Sequence, residues 1–184
     1  MSQRTRVLFG LWASMLVGAT AAAQAPSPPH VGLVLAHLEQ RSFPLPKGDF
    51  LLIASQPAGN VGEVVVYDLD RAILSVVPGT NSANPPRQQP LPPPKVQLVR
   101  ELLQLPTVQN LPPTSGRRGL DGSATVVIYR VGARQRQLGH WSPDAAGMEL
   151  LGALYDRELR TGASGLSGGP PDGRAGGPQP PGRP

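Results

Sequence analysis

The chain has no cysteine among its 184 residues. Disulfide stapling, thiolate zinc sites, cysteine nucleophiles and lipoprotein-type acylation are therefore excluded, because each requires a thiol. Lysine is almost absent, with 2 residues against 15 arginines. Guanidinium holds its proton at any relevant pH, so the isoelectric point reaches 10.4 on a net charge of only +5. After the first 25 residues no run approaches the ~18 consecutive apolar residues of a bilayer span, so the rest carries no membrane-spanning helix. Ser-x-x-Lys and the phosphate-cradling Gly-x-x-x-x-Gly-Lys are missing, and the one Gly-x-Ser-x-Gly match, Gly165-Leu166-Ser167-Gly168-Gly169, lies in a glycine- and proline-rich stretch with no strand before it or helix after it. His30, His37 and His140 are too far apart in sequence to form a ligand pair at metal-binding spacing. No cofactor is expected.

Proline and glycine are abundant instead, with 23 and 22 residues, and they divide the chain. Arg4 and Arg6, an apolar run over 7–18 and a small-residue end over 19–25 read as a secretory signal peptide, against the alternative of an uncleaved anchor. Cleavage is expected before Gln24, leaving a mature charge of +3, too small to indicate a nucleic-acid partner. The organisation expected is a signal peptide at 1–23, a proline-rich linker at 24–29, a folded domain at 30–161 and a tail at 162–184. That tail has eight glycines and six prolines, and Leu166 is its only large apolar residue. It cannot bury enough surface to offset its ordering entropy, and disorder is expected.

Within the domain, residues 31–38 are ambiguous between strand and helix and are taken as a strand. Residues 49–55 read as a strand, and 63–68 with 72–77 as a hairpin. Pro92-Pro93-Pro94 opens a helix over 95–105 whose apolar side collects Val96, Leu98, Val99, Leu102, Leu103 and Leu105, with Pro106 ending it. A second hairpin pairs 123–131 with 134–141 across Gly132-Ala133. Ser142-Pro143 starts a last helix carrying Met148, Leu151, Tyr155 and Leu159 on one side, with Gly162 at its end. The fold class expected is α+β, an antiparallel sheet of hairpins with two helices packed on one face.

The segments GNVGEVVVYDLDRAILSV, KVQLVRELLQL and GLDGSATVVIYRVGARQRQLGHW, followed by the closing helix, resemble small exported bacterial domains of unknown function. The resemblance covers residues 50–159, is one of ββαββα element order, and implies an exported domain with no established activity.

Among side chains that could carry chemistry, Asp68-x-Asp70 begins like a calcium loop, but Ile73 stands where that loop needs glycine, so a hairpin turn is expected. Carboxylates for glycoside chemistry would come from Asp49, Glu63, Asp68, Asp70, Glu101, Asp121, Asp144 and Glu149, several of which read as turn or helix-start residues. One local excess stands out. Residues 117–136 carry +4, whereas 24–111 are neutral. Arg117, Arg118, Arg134 and Arg136 are the candidate anion-binding residues, and the partner expected is an anionic envelope polymer or lipid. The expected function is a non-catalytic binding or structural module of the cell envelope, periplasmic or secreted, with a hydrolase of an envelope polymer as the alternative. Mass spectrometry of exported material is expected to find an unlipidated chain beginning at Gln24; an intact Met1 would contradict the cleavage assignment.

Overall fold

In a computed structural model, which describes residues 29–57, 59–114, 123–141 and 145–164, the β-branched runs pair into one antiparallel sheet. Its strands are β1 (Phe50–Pro57), β2 (Val64–Asp68), β3 (Ile73–Val77), β4 (Arg87–Pro90), β5 (Ser123–Val131) and β6 (Arg134–Trp141), in the order β4-β3-β2-β1-β5-β6. Four helices complete the α+β fold: α1 (Pro29–Gln40), α2 (Pro93–Gln104), α3 (Pro106–Gln109) and α4 (Ala146–Ser164). The expected register of the second hairpin is found, with Tyr129 opposite Arg136 and Val131 opposite Arg134. Gly132 takes φ 58° in its turn, the left-handed conformation that glycine adopts without a Cβ penalty.

The strands read as almost continuously apolar because the sheet is covered on both faces. Leu51, Ile53, Val65, Tyr67, Val127 and Tyr129 pack with Val99 and Leu103 of α2, Val108 of α3, and Met148, Leu151 and Tyr155 of α4. The alternate positions Phe50, Leu52, Ala54, Val64, Val66, Val126 and Ile128 pack with Val31, Val34 and Leu38. Residues 31–38 are therefore helical, not the strand expected, and they lie against the opposite face. Helical spacing puts Val31, Val34 and Leu38 on one side, whereas a strand would have grouped Val31 with Leu33, which is instead exposed. Among the described residues there are four helices in place of the two expected.

Other departures follow from local chemistry. The proline-dense stretch over 78–94 contains β4, a polar strand that exists only by pairing with β3 at the sheet edge. Leu91 N–H donates to Ala72 O (2.7 Å), so by strand alternation residues 88 and 90 face outward. Pro90 then presents no donor to another chain, which blunts the edge. Pro106 ends α2 and also opens the single turn of α3. Leu98 on α2 and Leu105 at its C-terminal cap are 48% and 40% exposed, and on α2 only Val99 and Leu103 are buried. Helix α4 continues past Gly162 to Ser164, since an internal glycine costs a helix only about 1 kcal/mol. The signal peptide, residues 24–28 of the linker, the Ser142-Pro143 start and residues 165–184 of the tail lie outside the described residues.

Leu151 is fully buried between Met148 and Tyr155, while its neighbour Leu150 is 43% exposed. Leu151→Asp should unfold the domain, because an unpartnered buried carboxylate costs several kcal/mol out of roughly 5–15. Leu150→Asp should stay within about 0.5 kcal/mol of wild type. Thermal melts of the two variants check the ranking, and similar losses in both would contradict the facing of α4.

Candidate functional site

The site is built by the way α1 ends. Ser42 N–H donates to Glu39 O and Phe43 N–H to Leu38 O, both at 2.9 Å, with Ser42 at φ 52°. This is a Schellman-type stop with serine in the left-handed position. It turns the chain out of the helix into the 42–48 segment, whose Phe43 and Leu45 pack partly against the α1-side core. Helix α1 itself lies against β5 and β6. Over β2, β3 and β4 the same sheet face is bordered by this segment, leaving a cleft of about 530 Å³.

Strand alternation sets the floor of the cleft. Val66 pairs with Ser75, and Ser75 with Gln88, so these three stand in a row across β2, β3 and β4. Asp68 and Ile73 form the next row. Asp68 is 9% exposed and Ser75 4%. Asp68 Oδ1 accepts the Arg71 N–H at 2.9 Å, which closes the turn between β2 and β3. Among the described residues its carboxylate takes no further hydrogen bond, and neither does the Ser75 hydroxyl. Lys47 and Arg71 stand on the rim.

A charged network anchors the wall. Arg100 of α2 pairs with Asp49 through Nη1 and with Asp70 Oδ1 through Nη2 (2.9 Å). The Asp49 N–H donates to Asp70 Oδ2 (3.0 Å), and the Gly132 N–H donates to Asp49 Oδ1 (2.8 Å). One cluster thus joins the start of β1, the β2–β3 turn, the β5–β6 turn and α2. A Cβ at Gly48 beside it would push the Asp70 carboxylate out of this position. Burial pushes the Asp49 pKa up, but the Gly132 N–H and the Arg100 guanidinium outweigh it, and the net direction is down. Arg130 adds a bond from Nη1 to Lys47 O (2.7 Å) and stacks over the Phe50 ring.

Of the four candidate anion-binding arginines, Arg117 and Arg118 lie outside the described residues. Arg134 donates to Gln109 Oε1 (3.0 Å), and Arg136 to the carbonyls of Gln109 and Leu111. These two guanidinium groups hold the chain after α3 against β6, and Arg136 is half-buried. The three histidines also serve the scaffold. His37 meets Pro78 O and His140 meets Pro112 O, each at 2.8 Å, and His30 meets Gln56 Oε1 at 2.7 Å. No cluster of metal-ligating side chains occurs among the described residues.

Asp68 and Asp70 occupy the hairpin turn expected of them, and both border the cleft. Glu63 lies 3.9 Å from Arg87 and Glu101 accepts from Gln97, while Asp121 and Asp144 fall outside the described residues. Sequence reading passed over Glu158, which is buried on α4 and paired with Lys95 of α2. Its signal was there, because Leu151, Tyr155 and Glu158 share one helical face. The Tyr67 hydroxyl is pushed to a higher pKa by burial and then by the Glu158 charge. The Tyr155 hydroxyl, donating to Glu63 O at 2.9 Å, is pushed up to about 12, chiefly by burial.

No protein-family model, no curated protein and no solved structure matches the chain.

Asp49 has a lower pKa in the fold than in the unfolded chain. Its contribution is therefore complete at neutral pH and is lost as pH falls through the ordinary carboxylate range toward that lowered value. Asp49→Asn should cost about 1–2 kcal/mol at pH 7 and flatten the acid limb of stability. Urea unfolding at pH 7 and pH 3 checks this, and an unchanged acid limb would contradict the assignment.

Proposed function

We propose that this protein is an exported, non-catalytic binding module of the cell envelope that takes its ligand in the cleft between residues 42–48 and the β2–β4 face. The observation that carries the proposal is the floor of that cleft. A well-packed sheet face normally buries apolar side chains, yet this one holds a carboxylate and a hydroxyl with unused hydrogen-bonding capacity beside Phe43, Leu45 and Ile73. Its volume, about 530 Å³, lies in the range of small-molecule sites, and a mostly apolar lining with a few convergent polar groups is their usual composition.

An anionic polymer or lipid held by arginine is the partner class suggested by composition, and Arg134 and Arg136 meanwhile hold Gln109 and Leu111. The hydrolase alternative draws on Asp68 and Asp70 bordering one cleft, although Asp70 is committed to Arg100 and to the Asp49 N–H.

One experiment separates these readings. The chain from Gln24 onward is incubated with purified envelope polymer, and both retention and released fragments are measured. Retention without fragments, weakened at least tenfold by Asp68→Asn, is expected. Fragment release abolished by the same substitution would establish the hydrolase instead, and no retention at all would overturn the binding role. Retention lost between low salt and ~0.15 M, where screening reaches ~8 Å, would assign the interaction to surface arginines rather than to the cleft.

A further inference from the structure

Resting on the reading of the cleft as the binding site, we infer that its ligand is an uncharged, hydroxyl-rich saccharide and not an anionic polymer or a lipid. The charges of the cleft balance. Lys47 and Arg71 on the rim stand against Asp68 on the floor and Asp70 at the end. A phosphate or sulfate group entering beside Asp68 would meet a like charge in a partly desolvated place, where repulsion is stronger than in bulk water. An acyl chain fits no better, since it would cover the Asp68 carboxylate and the Ser75 hydroxyl without bonding to either.

Sugar hydroxyls match what the floor leaves unused. The carboxylate of Asp68 accepts from O–H groups, Ser75 both donates and accepts, and the Gln88 carboxamide offers two N–H donors and a carbonyl. Ser75 and Gln88 stand side by side through the β3–β4 register, with Asp68 in the neighbouring row. Phe43 on the wall supplies an aromatic surface for the weakly polarised C–H bonds of a sugar ring. The cleft has space for a short oligosaccharide, and because Gln88 lies on the edge strand β4, a longer chain can leave across the edge of the sheet. A polymer therefore fits as well as a free sugar.

The test is an amide-resolved NMR titration of the chain from Gln24 onward with chitotriose, cellotriose, maltotriose and mannotriose, and in parallel with polyphosphate and phosphatidylglycerol vesicles. At least one trisaccharide should shift the signals of Ser75, Gln88 and residues 43–48, with a dissociation constant of about 0.01–10 mM and no dependence on salt. Asp68→Asn, which keeps the oxygen that accepts the Arg71 N–H, should weaken this binding at least tenfold. Gln88→Ala, at an exposed position where misfolding is no concern, should weaken it several-fold. Shifts by polyphosphate or vesicles at the same residues, with none by a trisaccharide, would overturn the saccharide and leave the cleft as the binding site. Absence of cleft shifts with every probe would overturn both, and trisaccharide binding unchanged in both variants would overturn the assignment of Asp68 and Gln88.

Discussion

Arg100 is the side chain on which the arrangement of the site depends. It is the group through which α2 reaches the loop end of the sheet, where it meets Asp49 and Asp70, and Asp49 in turn receives the Gly132 N–H. Isolated exposed ion pairs contribute little, but networks with backbone donors and partial burial contribute more. Here the side chains of Arg100 and Asp49 are 30% and 19% exposed. The cluster clamps both hairpin turns and the residue that follows the cleft wall, and so fixes where residues 42–48 end.

The cleft itself follows from how little helix lies on one side of the sheet. A helix about 10 Å across covers roughly two strands spaced ~4.8 Å apart, so six strands need about three helices on each face. Among the described residues, α2, α4 and the single turn α3 lie on one side, and α1 is the one helix on the other. It takes the β5–β6 half, and the opposite half is bordered by chain that is not helical. Arg41 fastens part of that chain through the carbonyls of Gly79, Ser82 and Asn84. Among the described residues, Asp68, Ser75 and Gln88 line the open cleft where no helix covers the sheet, so water can serve the polar groups that no protein partner satisfies.

Local signals made much of the fold readable. Gly132-Ala133 between two β-rich runs determined the pairing of Tyr129 with Arg136, and the proline run before Lys95 marked the start of α2. Both depend on backbone chemistry within a few residues. Residues 31–38 were misread because Val31, Leu33, Val34, Leu35 and Leu38 satisfy both a period of two and one of 3.6, and only the presence of a second sheet face to cover decides between them. Strand β4 was unreadable because Arg87-Gln88-Gln89-Pro90 has no strand propensity of its own. The site was still less legible. Asp49 and Arg100 are 51 residues apart, and the cleft is assembled from segments that meet only after the sheet has formed. The arginine-rich hairpin stands out because charge is visible in a sequence, whereas the groups of Gln109 and Leu111 that engage Arg134 and Arg136 are not.

A double-mutant cycle between Asp49→Asn and Arg100→Gln, measured by urea unfolding at pH 7, tests most directly whether this network organises the sheet end and the wall of the cleft. The account predicts a coupling of about 1 kcal/mol or more, with each single variant also altering the amide signals of residues 43–48. Single-variant losses that add to within about 0.3–0.5 kcal/mol, with those signals unmoved, would contradict it.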